Sequence, residues 1–560
     1  MKTAAIKSEV VIAGAVLLVG LVFAACTQHA WEDYWITFRS SRNLATGHGL
    51  VYTPGERLHT FTSPLGVLLP AAFCWLTGNQ SDDLVLWLFR VVSLGALASG
   101  VVLLFRTLRS LQLRRVSIWL TVALISLDAK TVDFAINGME TGLLVFFLAL
   151  AIHGLVVTGP RQWFRIGAGW AGLMWTRPDS CVYIAILGAG TLFFLPGKTT
   201  GKSRIEWGKM LLAAGLVCAV LYLPWFWWSW WYYGSPIPHT IVAKAVNKPP
   251  LLFVDLVTDL VMFPVKLFIP LDSSMQFAFL PGYSDHGGWP ISLAVASYAL
   301  GLPAAFALLF PGVRPQTRLF SLAFFLGNYY LSAVLKYHPP WYLPTVAVFG
   351  YLTLGLLFDD MLCLASRLPQ RGWTRGGLRH LPKVLRASAI GLVIGQAVVT
   401  ICVARQLRVQ QELIENGLRR PIGLWLRDHA RTSRDTVMLE PLGYIGYYSG
   451  LKMLDYPGLA SKEMVEVRKR LGPGREFRVS LELMPDWLIL RPREVRFGAF
   501  TTPDSLQKFY ELSRVFDATD KVSATRWLPG RPYLQYDQVF LVFHRKPDAS
   551  PKLPASGTGE

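Results

Sequence analysis

The chain repeatedly runs for close to twenty residues without a charge, and that pattern limits its folds more than any other feature. The first such run, Val10 to Cys26, follows Lys2 and Lys7. A bilayer core of about 30 Å takes about 20 apolar residues as helix. Inside hydrocarbon the backbone must satisfy its own hydrogen bonds, so helices are what these runs form. Spans are expected at 9–27, 84–105, 116–134, 141–158, 166–178, 181–196, 210–231, 290–310, 318–335, 341–358 and 387–404. Composition agrees: only 16% of the 560 residues are charged, against about 25% in ordinary soluble proteins. Phe23-Ala24-Ala25-Cys26 hints at a lipoprotein cleavage site, but the many spans that follow favour an uncleaved first helix. The six cysteines lie in or beside apolar stretches without a CxxC pair and read as small buried hydrophobes.

The formal charge is +19, from 55 basic and 36 acidic residues. In a soluble chain this would suggest a nucleic-acid partner. Here the cations fall in alternate loops: Arg106, Arg109, Arg114 and Arg115; Arg161 and Arg165; Lys198, Lys202, Arg204 and Lys209; Arg314 and Arg318; then Arg367, Arg371, Arg375, Arg379, Lys383 and Arg386. That is the positive-inside pattern, with the amino terminus cytoplasmic, and it removes the reason to invoke nucleic acid. The apolar stretch 62–77 is short, and counting it as a span would put Arg106–Arg115 outside. It is expected as an interfacial or re-entrant helix in a long outer loop, 28–83. Residues 250–270, with Asp255, Asp259, Lys266 and Pro264, suit a second interfacial helix in an outer loop 231–289. Trp225, Trp227, Trp228, Trp230, Trp231, Tyr232 and Tyr233 form an aromatic belt at its start.

From about 405 the long apolar runs stop and charge becomes frequent. The expected organisation is a polytopic α-helical membrane domain over 1–404, a soluble α/β domain over 405–545 on the outer side, and a disordered tail, 546–560. Thr436–Leu439, Trp487–Leu490 and Gln538–Phe543 read as strands. Leu424–His429, Glu463–Leu471 and Ser505–Leu512 read as helices.

Six constellations carry the chemistry. Trp31-Glu32-Asp33-Tyr34 puts two carboxylates at a membrane edge, either as a cap for the helix Trp35–Ala45 or as a general base. Glu140, in Asn137-Gly138-Met139-Glu140-Thr141, begins a span, where a helix macrodipole favours an acid. Arg177 and Asp179 flank Pro178 at a span end. Lys244 closes the stretch from Tyr233 through His239, and either snorkels or neutralises a phosphate. Lys336 and His338 sit in an aromatic-belt turn ending in Trp341-Tyr342. Finally Glu440 precedes Pro441-Leu442-Gly443-Tyr444-Ile445-Gly446-Tyr447-Tyr448, with Asp455-Tyr456-Pro457-Gly458-Leu459 beyond.

The order of these blocks resembles the GT-C membrane glycosyltransferases, and most closely the mycobacterial terminal arabinofuranosyltransferases and their bacterial relatives. The resemblance rests on the acidic pair, Ile36-Thr37-x-Arg39, Gly47-His48-Gly49-Leu50-Val51, Pro54-Gly55-Glu56-Arg57 and Thr62-Ser63-Pro64-Leu65, followed by Gly138-Met139-Glu140-Thr141 and Thr176-Arg177-Pro178-Asp179. It implies about 11 spans plus juxtamembrane helices, a C-terminal extracytoplasmic α/β domain and a bacterial plasma-membrane location with that domain periplasmic. His239 departs from the asparagine usual in that family, and Lys336 and His338 match weakly. The block from Pro441 looks like the family's strand–turn–strand, serving either the acceptor or domain docking.

The implied reaction is inverting transfer of a sugar, arabinofuranose by the nearest relatives, from a polyprenyl-phosphate donor to a cell-envelope glycan or glycolipid. Asp33 is the expected base, with Glu32 or Glu140 assisting. Arg177, Lys244, His239, Lys336 and His338 are the expected donor or phosphate contacts. Arg39, Tyr447 and Asp455 are the expected acceptor or sugar contacts. No cofactor is required, and a divalent cation bridging outer carboxylates is left open. The rival reading, a lipid-linked-sugar transporter or flippase, would use ionisable residues inside spans, of which Arg90 stands out in the sequence.

Overall fold

The computed structural model describes residues 2–197, 201–250, 252–269, 274–336, 338–367, 380–498 and 501–547. Lys198, Arg371, Arg375, Arg379 and most of the C-terminal tail lie outside them. Sixteen of the chain's helices are α1 (Lys2–Thr27), α2 (Glu32–Ala45), α3 (Pro64–Leu76), α4 (Asp82–Ser110), α5 (Arg115–Ser126), α6 (Ala129–Ile136), α7 (Thr141–Val156), α8 (Gln162–Thr176), α9 (Ser180–Phe194), α10 (Arg204–Tyr233), α11 (His239–Ala245), α12 (Phe253–Lys266), α13 (Ile291–Phe306), α14 (Pro315–Tyr329), α15 (Leu343–Arg367) and α16 (Leu381–Gln410). Among the described residues seven helical runs are long and apolar enough to cross a membrane, or eight if the bent pair α6 and α7 is one span. The protein is a multi-pass membrane protein. Helices α8 and α9, at 15 residues each, are shorter than a bilayer core requires.

Polar contacts order the two ends of the bundle. At one end Arg106 of α4 reaches Glu9 of α1 at 2.6 Å, so these two helices run antiparallel. At that end too, Asp359 of α15 accepts the Arg114 backbone N–H at 2.8 Å and pairs with Arg314, while Arg314 lies 3.2 Å from Asp360. Two of the basic loops, 106–115 and 314–318, therefore share one end. At the other end Arg90 of α4 donates to the carbonyls of His29 and Ile136, both at 2.7 Å. The charge that suggested a transporter thus ties together the turns on either side of α4.

The expected span 116–134 is not one helix. Helix α5 has 12 residues and stops at Ser126. Asp128 then caps α6 by accepting the Thr131 N–H at 2.9 Å, and α6 meets α7 at 117°. Asp128, Lys130 and Asp133 explain the break, because three ionisable groups in two turns need partners rather than lipid. All three are buried. Lys130 donates to the Leu280 carbonyl and lies 3.7 Å from Asp128, and Asp133 is 2.8 Å from the His29 ring. Two cysteines also depart from expectation: Cys26 and Cys181 are exposed on the outside of their helices, while Cys74 is buried.

The interfacial segments form α3 and α12, and Pro264 lies inside α12 rather than ending it. A helical run, Leu381–His429, passes residue 405 without a break and leads into a five-stranded sheet. The strands are β1 (Thr436–Leu439), β2 (Lys452–Asp455), β3 (Trp487–Leu490), β4 (Tyr510–Asp517) and β5 (Val539–Arg545), in the order β2-β1-β3-β5-β4. β1 pairs in parallel with β2 and β3, and β5 is antiparallel to β3 and β4.

Two local expectations are corrected. The segment 505–512 is not one helix: the helix stops at Phe509 and β4 begins at Tyr510. β4 is an edge strand with a mostly exposed burial pattern and a bulge after Leu512, so no clean alternation marks it. The block 441–450 is strand–helix–strand, with a helix Gly443–Ser449 between the parallel β1 and β2. Parallel neighbours need such a crossover, whereas a tight turn would make them antiparallel.

Candidate active site

The segment joining α1 to α2 is fixed before it reaches the acids. The Trp31 N–H donates to the Asn137 carbonyl at 2.8 Å, and the Trp31 ring packs against Phe134, Tyr283 and Trp341. Glu32 and Asp33 then occupy the first turn of α2, where a helix macrodipole favours carboxylates. Successive helical residues diverge by about 100°, and the two acids face different surroundings. Glu32 turns to the sheet-bearing C-terminal region, accepting the Gly443 N–H at 2.5 Å and the Arg419 guanidinium at 3.1 Å. A Cβ at Gly443 would lie 2.1 Å from the Glu32 carbonyl oxygen, so only glycine allows this approach. Asp33 instead lines a cavity of about 600 Å³ together with Glu140, Arg177, Thr240, Lys244 and Tyr342.

Glu140 arrives on the turn between α6 and α7. Gly138 in that turn has φ of +95°, and a Cβ there would fall 2.3 Å from the Tyr34 ring of α2. Glycine is thus required twice over, by conformation and by contact, and the contact sets the Glu140 turn against the helix that carries Asp33. Arg177, just past α8, is buried. Its Nη1 lies 3.7 Å from Glu140, its Nε donates to Asp179 at 3.1 Å, and its guanidinium sits 3.9 Å over the Tyr342 ring. Lys244 lies in the last turn of the short α11. Thr240 of the same helix is buried, and its hydroxyl has no hydrogen-bond partner among the described residues.

Burial pushes the Asp33 carboxyl above the ordinary aspartate range. Lys244 and Arg177 pull it back down, while Glu440 pushes it further up. Glu440 is itself held by Arg491 at 2.7 Å, and Arg491 joins Asp537, which joins Arg419. A chain of charges, exposed at Glu440 and buried from Arg491 onward, therefore connects the surroundings of Asp33 to the partner of Glu32.

The remaining expected site residues do not line this cavity. His239 donates from Nε2 to the Ser461 carbonyl at 3.5 Å and gives its backbone N–H to the His59 carbonyl. Lys336 is exposed at a left-handed turn, φ 52°. His338 packs on Phe277, with centroids 5.2 Å apart. Arg39 is buried beneath the sheet-bearing C-terminal region, donating to the carbonyls of Gly446, Gly450 and Leu451 at 2.8, 2.9 and 3.0 Å. The Tyr447 hydroxyl accepts from Arg42 at 2.6 Å. Asp455 accepts the N–H groups of Gly458, Leu459 and Ala460; burial pushes its carboxyl up to about 6 while those three donors pull it down. Arg39 thus docks the sheet-bearing region onto α2, Tyr447 anchors the side chain of Arg42, and Asp455 shapes the turn whose Leu459 closes one side of the cavity. Among the described residues no three His, Cys, Asp or Glu side chains gather as a metal-binding group.

Sequence reasoning missed Thr240, Tyr342 and Arg419 as parts of this arrangement. Thr240 and Tyr342 belong to motifs that were noticed, but threonine and tyrosine carry no charge signal. Arg419 is marked only by Glu415 four residues earlier, a helical pairing distance, at 2.9 Å.

Comparison with known proteins follows the same lines. A family model described as a domain of unknown function (DUF8728) matches residues 405–538. A terminal beta-(1->2)-arabinofuranosyltransferase of Corynebacterium glutamicum is 27% identical over 242 residues, which are 39% of this chain and 33% of that protein. The protein of the same name from Mycobacterium tuberculosis is 29% identical over 242 residues, 39% of this chain and 35% of that protein. The matched region thus spans about a third of each relative. Over nearly the whole chain the fold is similar to ArnT from Cupriavidus metallidurans bound to undecaprenyl phosphate, with TM-score 0.53 and 11% identity, covering 97% of this chain and 99% of that one. The apo state of the same protein gives 0.54 and 12%.

Proposed function

We propose that this chain, which has the GT-C membrane glycosyltransferase fold, is an inverting glycosyltransferase. It moves a sugar, arabinofuranose by its sequence relatives, from a polyprenyl-phosphate donor to a cell-envelope glycan on the outer face of the bacterial plasma membrane. The observation that carries this reading is the single cavity holding Asp33 and Glu140 beside Arg177 and Lys244. It pairs a half-buried carboxylate with two cations, as a base and an anionic leaving group require.

In the proposed step Asp33 removes the proton from an acceptor hydroxyl. The oxygen attacks the anomeric carbon from the side opposite the phosphate. The bond from that carbon to the phosphate oxygen breaks, and its electron pair leaves on the lipid phosphate, where Arg177 and Lys244 stabilise the added charge. One displacement inverts the anomeric centre. Glu140 and Asp179 fix the Arg177 guanidinium. A second cavity of about 640 Å³, lined by Met174, Tyr222, Trp225 and Ile241, shares Thr62 with the first. Its apolar walls suit the isoprenoid chain next to the phosphate. The amino terminus and the basic loops are on the cytoplasmic side in this reading, and the sheet is outside.

The test is transfer by purified protein supplied with polyprenyl-phosphate sugar. The Asp33→Asn variant should insert and fold normally and lose transfer. Normal turnover by that variant would reject the reading of Asp33 as the base.

A further inference from the structure

A third cavity, of about 720 Å³, lies on the other side of α2 from the acid-lined one. Trp35 reaches it, whereas Asp33, Ile36 and Thr37 line the first cavity. The α1–α2 junction, the start of α4 and the helical run beyond α16 enclose it. Its aromatic walls are Trp35, Trp87 and Tyr448, and its polar groups include Gln411, Asn416 and Arg420. The indole N–H of Trp35 is buried and has no hydrogen-bond partner among the described residues. Arg420 lies 4.9 Å from the Tyr448 ring centroid with no carboxylate partner among the described residues. The Gln411 amide is already engaged, its oxygen accepting the Ala30 N–H at 3.0 Å and its nitrogen donating to the Tyr444 hydroxyl at 3.1 Å and to Asn416 at 3.4 Å, which leaves the Asn416 amide nitrogen as the donor toward a ligand.

We propose that this cavity binds a carbohydrate residue of the acceptor chain, at a distance from the reacting hydroxyl. A sugar ring has apolar C–H faces, which fit flat aromatic rings, and a rim of hydroxyls that both donate and accept. The Asn416 amide, the Trp35 indole N–H and the Arg420 guanidinium, on facing walls, match that rim. Asp83 and Arg90 also line the cavity, and Arg90 is already held by the His29 and Ile136 carbonyls, so charges of both signs face the ligand, which suits a neutral polyhydroxyl compound better than an anionic lipid head group. The same helix then carries the base on one face and an acceptor-holding aromatic on the other. This rests on the glycosyltransferase reading only in taking the ligand to be the acceptor glycan.

The experiment uses the full chain in nanodiscs, with hexasaccharides of arabinofuranose and of mannose as probes. Tryptophan fluorescence reports binding through Trp35 and Trp87. Saturable binding of one hexasaccharide is expected for the native chain and for Asp33→Asn. Asn416→Ala with Arg420→Ala should weaken it at least tenfold while leaving transfer to a short acceptor unchanged. No saturable response to either sugar would overturn the subsite, as would equal binding by the double variant. A response that appears only with anionic lipid in the nanodisc would also overturn it, marking a head-group site. Because transfer is measured separately, loss of the subsite proposal leaves the catalytic reading standing, and the reverse also holds.

Discussion

Glu32 and Asp33 are neighbours in sequence and opposed in space: Glu32 is held by Arg419 at 3.1 Å and by the Gly443 N–H at 2.5 Å, while Asp33 lines the cavity shared with Glu140, Arg177 and Lys244. The acidic pair therefore divides its work. One carboxylate locks the sheet-bearing C-terminal region onto α2, and the other is free to take a proton. This division predicts unequal variants. Asp33→Asn should lower turnover by about 10²–10⁴, the range of a lost general base. Glu32→Gln keeps an acceptor for Gly443 but weakens the pairing with Arg419, so it should lower thermal stability with a smaller fall in turnover. Comparable losses of turnover at matched stability would contradict the division.

The neighbours of Asp33 set the acid limb of activity. Its carboxyl is raised by burial, lowered by Lys244 and raised by Glu440. A base works only when ionised, so activity should rise with pH through this raised value and fall away below it. Glu440→Gln removes a charge that disfavours the carboxylate, and should move the acid limb to lower pH. Lys244→Met removes one that favours it, and should move the limb to higher pH while weakening donor use. The measurement is kcat/KM against pH for the three proteins. Shifts of the same sign in both variants would show that another group controls the limb.

How much of this was legible follows from where each signal lives. The longer spans, β1 and β3 were visible because apolar runs and short β-rich segments are local properties, whereas 116–134, 166–178 and 181–196 form shorter helices than expected. Asp33, Glu140, Arg177 and Lys244 stood out because charges beside spans need a reason. The direction of each acid was not visible, since it depends on a domain more than 400 residues away, through Gly443. The break at Asp128 was hidden because Lys130 and Asp133 find their partners in the loop at Leu280 and in His29, which no window around residue 130 contains. Arg39, Tyr447 and Asp455 were noticed for their motifs, but motif membership cannot separate a docking contact from a sugar contact.

Arg177 tests the electrostatics of the leaving group. Its guanidinium is stacked over Tyr342 and pinned by Asp179 and Glu140. Lysine retains the charge but lacks the planar fork and the stacking surface. Arg177→Lys should therefore keep measurable transfer with a raised KM for the lipid-linked donor, by about tenfold to a hundredfold, corresponding to about 1.4–2.8 kcal/mol. The KM for acceptor should stay close to that of the native chain. A change confined to the acceptor would place Arg177 outside the donor site.

Arg90 is the last test, because it acts on both acids without touching the cavity. Its two 2.7 Å bonds hold the His29 and Ile136 carbonyls, which lie four residues before Asp33 and Glu140 respectively. The guanidinium is fully buried and stacks 4.7 Å from Trp87. Removing it strands two buried carbonyls, each worth about 1–3 kcal/mol, and frees both turns to drift. Arg90→Met should lower the unfolding temperature and the turnover number together, because a misplacement of about 1 Å at a reacting group can cost about 10²-fold. Its acid limb should remain where the native one is, since the charges nearest Asp33 are unchanged. A displaced acid limb in this variant would show that Arg90 acts on the ionisation of Asp33 rather than on its position.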